Sequence, residues 1–275
     1  DSLLTSISRF AIFLAIIPIV SILATVISKG WRGLHWGLFT QDMSEATVNS
    51  PIQQGGMQAA IVGTLIMVGL ALLFTLPIAI LTALYLTEIK GKFARPIRFL
   101  VQAMSGVPSI VAGLFILSSI VYPITEERSG LMGALALSIL MIPTVARTAE
   151  EVLLLIPNDL REAGLALGAT QWRTVAMVVV PAVKSGLVTA IILGVARVIG
   201  ETAPILLVSG GGDATNFNPV SGPMGSIPFY VWNAFLLGGS EESTQRTWAG
   251  LLVLLLWVLI LFTIARYISS RSQKR

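Results

Sequence analysis

Two side chains in the run Val195–Pro204, VARVIGETAP, stand out chemically from their surroundings. Arg197 and Glu201 lie four residues apart inside a stretch, Leu187–Ser209, that is otherwise apolar enough for the middle of a bilayer. An arginine at that depth costs ~2.5–3.5 kcal/mol on insertion scales and needs partners, a protein interior or water. Four-residue spacing predicts that both side chains share one helical face. Three readings follow: an ion pair that neutralises both charges and pins helices, a proton or ion relay, and an anion pathway. In the last, Glu201 alone would repel the anion, but beside Arg197 it holds the guanidinium in place. Arginine suits a tetrahedral oxyanion because it offers several donors in a fixed plane.

Arg147 is the other charge to weigh, near the cytoplasmic end of the fourth span. It follows Pro143 by four residues, with Glu150 and Glu151 close by. It reads either as an interfacial arginine snorkelling and paired with Glu151, or as a second anion contact or inner gate. Ser105, Ser109, Thr144 and Thr148 could line a pathway, but small hydroxyls also serve helix packing. His35, the single histidine, has no His, Cys or carboxylate at ligand spacing, so no metal site is expected. The sequence has no G-x-x-x-x-G-K-[ST] phosphate loop and no catalytic constellation. This chain is therefore expected not to bind and hydrolyse ATP in the usual way by itself, and to bind no cofactor.

The elements that must position these residues follow from composition. Of 275 residues, 55% are hydrophobic and 12% charged, with mean hydropathy +0.84. Soluble domains carry about 25% charged residues, so the chain reads as an all-α integral membrane protein, one transmembrane domain over 1–275. Six segments can cross ~30 Å of hydrocarbon: about 7–28, 58–86, 99–122, 131–149, 185–209 and 247–268. The second is overlong and is expected to tilt or to begin outside the bilayer. Pro18, Pro77, Pro108, Pro143 and Pro204 fall within spans. With the N-terminus in the cytoplasm, 13 of the 18 basic residues fall in cytoplasmic regions and 4 in outer loops, leaving Arg197 within the fifth span. Both termini are then cytoplasmic. Trp31, Trp36, Tyr122, Trp232 and Trp248 sit near the outer surface, as interfacial aromatics do. The outer loops are 29–57, 123–130 and 210–246. The last contains SGPMGSIPFYVW, which reads as an interfacial or re-entrant helix, or as a docking surface for an extracytoplasmic partner. Gly63, Gly69, Gly186 and Gly194 read as close helix packing. Asp1 in place of Met suggests trimming, and the first apolar run, lacking an A-x-A-like cleavage site, reads as a span. Without cysteine there is no disulfide framework.

The fourth and fifth spans are joined by a loop over 150–184, within EEVLLLIPNDLREAGLALGATQWRTVAMVVVPAVKSG (150–186). Pro157 ends the incoming helix. Asn158 or Asp159 is expected to cap a new one, with Asp159 and Glu162 at capping-box spacing. Leu160, Ala163, Gly164 and Leu167 fall on one face of it, and Gly168 suits a left-handed end. A second short helix is expected from about Thr170 to Pro181. The apolar stripe needs a cover, which is either the lipid surface or a partner's groove. A push on this loop would reach Arg197 through one short helix.

Glu162-Ala163-Gly164, three residues, Gly168, nine residues, then Val178-Val179-Val180-Pro181 resembles the EAA loop of ABC importer permeases, with every spacing matched. Gly164, Val178 and Val180 replace the family's Ala, Ile and Leu. The stretches GVPSIVAGLF (106–115), LMIPTVARTAEEVLLLIPNDLREAGLALGAT (140–170), GETAPILLV (200–208) and PMGSIPFYVW (223–232) resemble the PstA-type permeases of bacterial phosphate importers. The resemblance implies the type I importer architecture with six spans. It also implies a coupling helix, here Asp159, Glu162, Ala163, Gly164, Leu167 and Gly168, seated in a cleft of an ATPase subunit. The implied partners are a sibling PstC-type permease, two ATPase subunits and an extracytoplasmic phosphate-binding protein. Arg197 and Glu201, and more weakly Arg147, are the implied substrate pathway. Glu201 could accept a hydrogen bond from a protonated phosphate oxygen, which fully ionised sulfate lacks. Two alternatives stay open: an importer permease for another solute, and a secondary transporter or channel that uses the pair as a proton relay and needs no ATPase.

Overall fold

The computed structural model describes residues 2–89 and 91–273. Lys90, Lys274 and Arg275, counted above among the basic residues, lie outside the described residues. The helices are α1 (Ser2–Gly30), α2 (Trp36–Thr40), α3 (Gln58–Leu84), α4 (Ala94–Ser105), α5 (Ser109–Ile116), α6 (Gly130–Leu154), α7 (Asn158–Ala166), α8 (Gln171–Thr174), α9 (Val180–Ala182), α10 (Lys184–Ile199), α11 (Ala203–Val208), α12 (Ile227–Leu237) and α13 (Glu241–Gln273). Three π-helical stretches, Tyr85–Ile89, Leu117–Thr125 and Val175–Val179, extend α3 and α5 and join α8 to α9. Among the described residues no strand forms beyond an isolated bridge between Gly210 and Met224.

The apolar runs form helices because a bilayer leaves backbone groups no partner but their own chain. Four helices are long and apolar enough to cross a membrane, or up to six if each of two bent pairs is one span. The central helix is α6: two-thirds (67%) of its most apolar window is buried, against 6% for α1. Small residues bring its neighbours close. A Cβ at Gly133 would meet Met67 of α3, one at Gly194 would meet Val145 and Met141, and one at Gly186 would meet Val152. The main core is Met67, Ala71 and Ala79 of α3, Leu137, Met141 and Val145 of α6, and Val195 and Val198 of α10. Gly63 abuts the Gly225 carbonyl, as close packing predicts, but Gly69 faces open space and packs against nothing.

The third span is not one helix. α4 and the segment Ser109–Thr125 meet at 103°. Gly106 caps α4, and Pro108 starts α5 while excluding helical geometry at Val107. Ala94, Ile97, Val101 and Met104 turn inward from α4, whereas Arg95, Phe99 and Leu100 are exposed. The fifth span is also shorter than expected. α10 ends at Ile199, the backbone is irregular over Gly200–Thr202, and α11 restarts with Pro204 in its first turn. Gly113 of α5 lies against the Pro204 backbone, so a Cβ there would come within 3 Å of it. That close crossing joins GVPSIVAGLF to GETAP in space.

Candidate functional site

Arg197 lies 13 residues into α10, about 20 Å from Lys184 at helical rise. It is exposed on the surface of the chain, and among the described residues it makes no hydrogen bond or ion pair. Glu201 is not one helical turn above it. The helix has ended at Ile199, and Glu201 sits half-buried in the break, its N–H bonded to the Val198 carbonyl at 3.1 Å. The expected Arg197–Glu201 ion pair is therefore absent. Gly200 and Pro204 break the periodicity on which the four-residue argument rested. Both charges remain close in the chain, in or beside an irregular stretch of a span. Within a membrane such backbone is tolerated only where protein buries it or it lines a water-filled cavity.

Arg147 pairs with Glu151, Nε to Oε1 at 3.5 Å, both side chains being largely exposed. Glu150 is claimed instead by Arg98 of α4, whose Nη2 and Nε approach Oε1 at 2.6 and 2.9 Å. Ser105 and Thr144 turn back to the carbonyls four residues earlier and point to helix packing.

The loop between α6 and α10 builds the second candidate site. Its first helix is α7, which begins one residue before the expected start at Asp159. Pro157, not Asn158 or Asp159, occupies the cap position, no side chain caps the helix, and the capping box does not form. Proline fixes the entry without a donor to satisfy, and Asp159 supplies negative charge to the first turn. Gly168 adopts φ +80°, so the left-handed end is present, with its N–H on Leu165 and the Ala169 N–H on Gly164. The second helical run is found over 171–182, capped by the Thr170 hydroxyl accepting from Arg173 N–H at 3.4 Å. It meets α10 at a 73° bend.

The expected apolar face divides in two. Gly164 is buried against Thr174 of the following helix, so its missing side chain serves packing within the chain. Asp159, Leu160, Glu162, Ala163, Leu167 and Gly168 face out, Leu167 being 89% exposed. Arg161, a residue the sequence argument counted only as a basic charge, anchors the helix. Its guanidinium reaches both Glu88 oxygens and the carbonyls of Leu153 and Ile156. Glu88 lies 73 residues away in sequence, and nothing local in either segment announces the pairing.

At the opposite end of the bundle, the loops are tied together by backbone and carboxylates. Asp42 accepts from the Ser44 hydroxyl at 2.6 Å, from Ser44 N–H, and from Thr215 N–H and hydroxyl at 2.8 and 3.0 Å. These bonds, the Ser44 hydroxyl first, outweigh partial burial and hold its pKa at about 2. Asp213 is shifted up, mainly by burial and then by the charge of Asp42. Arg246 is fully buried, and its Nη2 donates to the carbonyls of Ser50, Pro51 and Gln54 at 3.2, 2.9 and 2.6 Å. Within SGPMGSIPFYVW only IPFYVW is helical, opening α12, whose start is capped by the Ser226 hydroxyl accepting from Phe229 N–H. Trp31 and Trp36 are exposed, and Lys29 lies 4.8 Å over the Trp248 ring.

Comparison with known proteins places this geometry. The chain is 35% identical over 280 residues to a Mycobacterium tuberculosis protein named phosphate transport system permease protein PstA 1, covering 100% of this chain and 90% of that one. It is 36% identical over 263 residues to the Haemophilus influenzae phosphate transport system permease protein PstA, covering 95% and 90%. In fold it resembles a chain of the inward-facing MetNI methionine ABC transporter, with TM-score 0.64, 18% identity, and 79% of this chain and 94% of that one covered. The six spans, two of them bent, thus form a type I ABC importer permease fold. Residues 75–274 match the family described as binding-protein-dependent transport system inner membrane component, and the chain belongs to that family.

Proposed function

We propose that this chain, as one permease domain over 1–275, forms half of a heterodimeric pore that imports inorganic phosphate by alternating access, driven by separate ATPase subunits. The observation that carries the pathway assignment is Arg197: a cation partway along a span, exposed and without a partner among the described residues. Lipid would penalise it. A water-filled seam against a sibling permease of PstC type would not, and there it offers a guanidinium to a passing oxyanion. Glu201, in the helix break, can accept a hydrogen bond from a protonated phosphate oxygen. The relatives' names support phosphate as the substrate. Arg147, already paired with Glu151, is a weaker pathway residue.

The exposed residues of α7 are the docking surface for an ATPase, and the partner ATPases hold ATP and Mg. An extracytoplasmic binding protein delivers phosphate to the loops at the other end. The α7 end is cytoplasmic, as are both termini, in line with the basic-residue bias.

Arg197→Ala tests the pathway. In the assembled complex it is expected to lower phosphate uptake by about 10- to 100-fold, the worth of a charge-assisted hydrogen bond, with complex yield unchanged. Glu201→Gln is expected to narrow the preference for phosphate over sulfate. Normal uptake by an assembled Arg197→Ala complex would remove the pathway role.

A further inference from the structure

Arg161 and Glu88 join parts of the chain that the loop itself does not join. Arg161 Nε and Nη2 donate to Glu88 Oε2 and Oε1 at 3.0 and 2.9 Å, and its Nη1 and Nη2 donate to the carbonyls of Ile156 and Leu153 at 2.7 and 3.0 Å. The Glu88 side chain is only 6% exposed and that of Arg161 19%. Gln171, beyond α7, donates to the Glu88 backbone carbonyl at 2.8 Å. One short helix is thus fastened on both sides to the π-helical end of α3, and through two carbonyls to the end of α6.

A bidentate arginine–carboxylate pair is directional, and breaking one that is this buried leaves an uncompensated charge. It therefore resists separation of α7 from α3. The covalent route from α7 to α10 behaves differently, because it runs through 171–182 and a 73° bend at Val183. A bend in a connecting segment can absorb displacement. The pair cannot do so without losing its geometry.

We propose that the Arg161–Glu88 clasp, together with Gln171, is the joint that carries displacement of α7 into the second span. α3, α6 and α7 then move as one body, and Arg197 on α10 is reached by packing against α6 rather than through Val183. Arg161 and Glu88 are positioning residues: neither touches substrate nor, in this reading, ATP. The inference rests on α7 being the ATPase contact of a phosphate importer.

The test uses the full complex in proteoliposomes and measures phosphate moved per ATP hydrolysed. Glu88→Gln keeps the shape and removes the charge. Its ratio is expected to fall about tenfold, within the ordinary range of site–site coupling, while complex yield and stimulated ATP hydrolysis persist. This chain has no cysteine, so, assembled with partner subunits whose cysteines are replaced, Glu88→Cys combined with Arg161→Cys can be joined selectively by a short thiol-reactive linker. The open pair is expected to be uncoupled, and linking is expected to restore the ratio. An unchanged ratio in Glu88→Gln would overturn the clasp. So would uptake and hydrolysis falling together, which marks a purely structural role, or a linked pair that stays uncoupled. Failure of the underlying reading looks different: the unsubstituted complex would hydrolyse ATP without moving phosphate.

Discussion

Arg246 gives one guanidinium nitrogen to three carbonyls of the 50–54 turn, whereas Arg197 has no partner among the described residues. The two arginines differ in what surrounds them, and that assigns their roles. Arg246→Met would leave buried carbonyls unsatisfied. It is expected to cost roughly 1–3 kcal/mol, read as a lower unfolding temperature in detergent with hydrogen exchange rising first over 43–56. Asp42 gives a pH signature of defined sign. Its native pKa lies below the ordinary 3.8, at about 2, so the stability it contributes is complete above 3.8 and is lost as pH falls through about 2. Asp42→Asn should remove that acid sensitivity and loosen the 42–44 and 213–216 segments already at neutral pH, measurable by hydrogen exchange. Arg197 was legible in the sequence because a cation inside an apolar run is improbable without a reason. Arg246 was not, since an arginine near a span end looks like any loop charge, and its carbonyl cage is assembled from residues nearly 200 positions away.

At the scale of elements, the helical period was the legible part and the interruptions were the difficult part. Apolar runs located α1, α3, α6 and α13, although α1, α6 and α13 extend past the expected ends, and the EAA-like spacing located α7 and the helical run after it. The misplacements at 99–122 and 185–209 share a cause. Gly106 with Pro108, and Gly200 with Pro204, end one helix and begin another, yet hydropathy alone reads through them. A proline inside a membrane helix is tolerated, but a glycine two to four residues before it supplies the stop that proline alone does not. Gly164 was placed on the apolar face that needs a cover, but it is turned to Thr174 of the same chain. Gly164→Val should therefore overpack the α7–α8 contact by about 1–3 kcal/mol. Thermal unfolding of the isolated permease should detect it without any ATPase present.

For the whole molecule, the distribution of exposed apolar surface describes what the chain lacks. α1 is almost uncovered, approaching α13 near its C-terminal end through Lys29 and Gly30, and the outer faces of α4 and α5 are apolar. At one end Leu167 projects from α7 with nothing beneath it. A monomer in lipid can expose apolar helices; Arg197 is what the proposed sibling subunit would cover, and Leu167 what the proposed ATPase would. Leu167→Glu is expected to weaken ATPase association about 100-fold, in the range of an interface hot spot, as measured by co-purification at graded ATPase concentration. The central claim is that this pore moves phosphate at the expense of ATP hydrolysed elsewhere. The most direct measurement is the ATPase rate of the reconstituted complex with its binding protein and, in turn, phosphate, sulfate and molybdate. With the binding protein present, phosphate is expected to stimulate hydrolysis, sulfate and molybdate to do so little, and Arg197→Ala to give stimulation without matching uptake. Equal stimulation by sulfate or molybdate would contradict it, as would phosphate uptake that follows a proton gradient and survives inactivation of the ATPase.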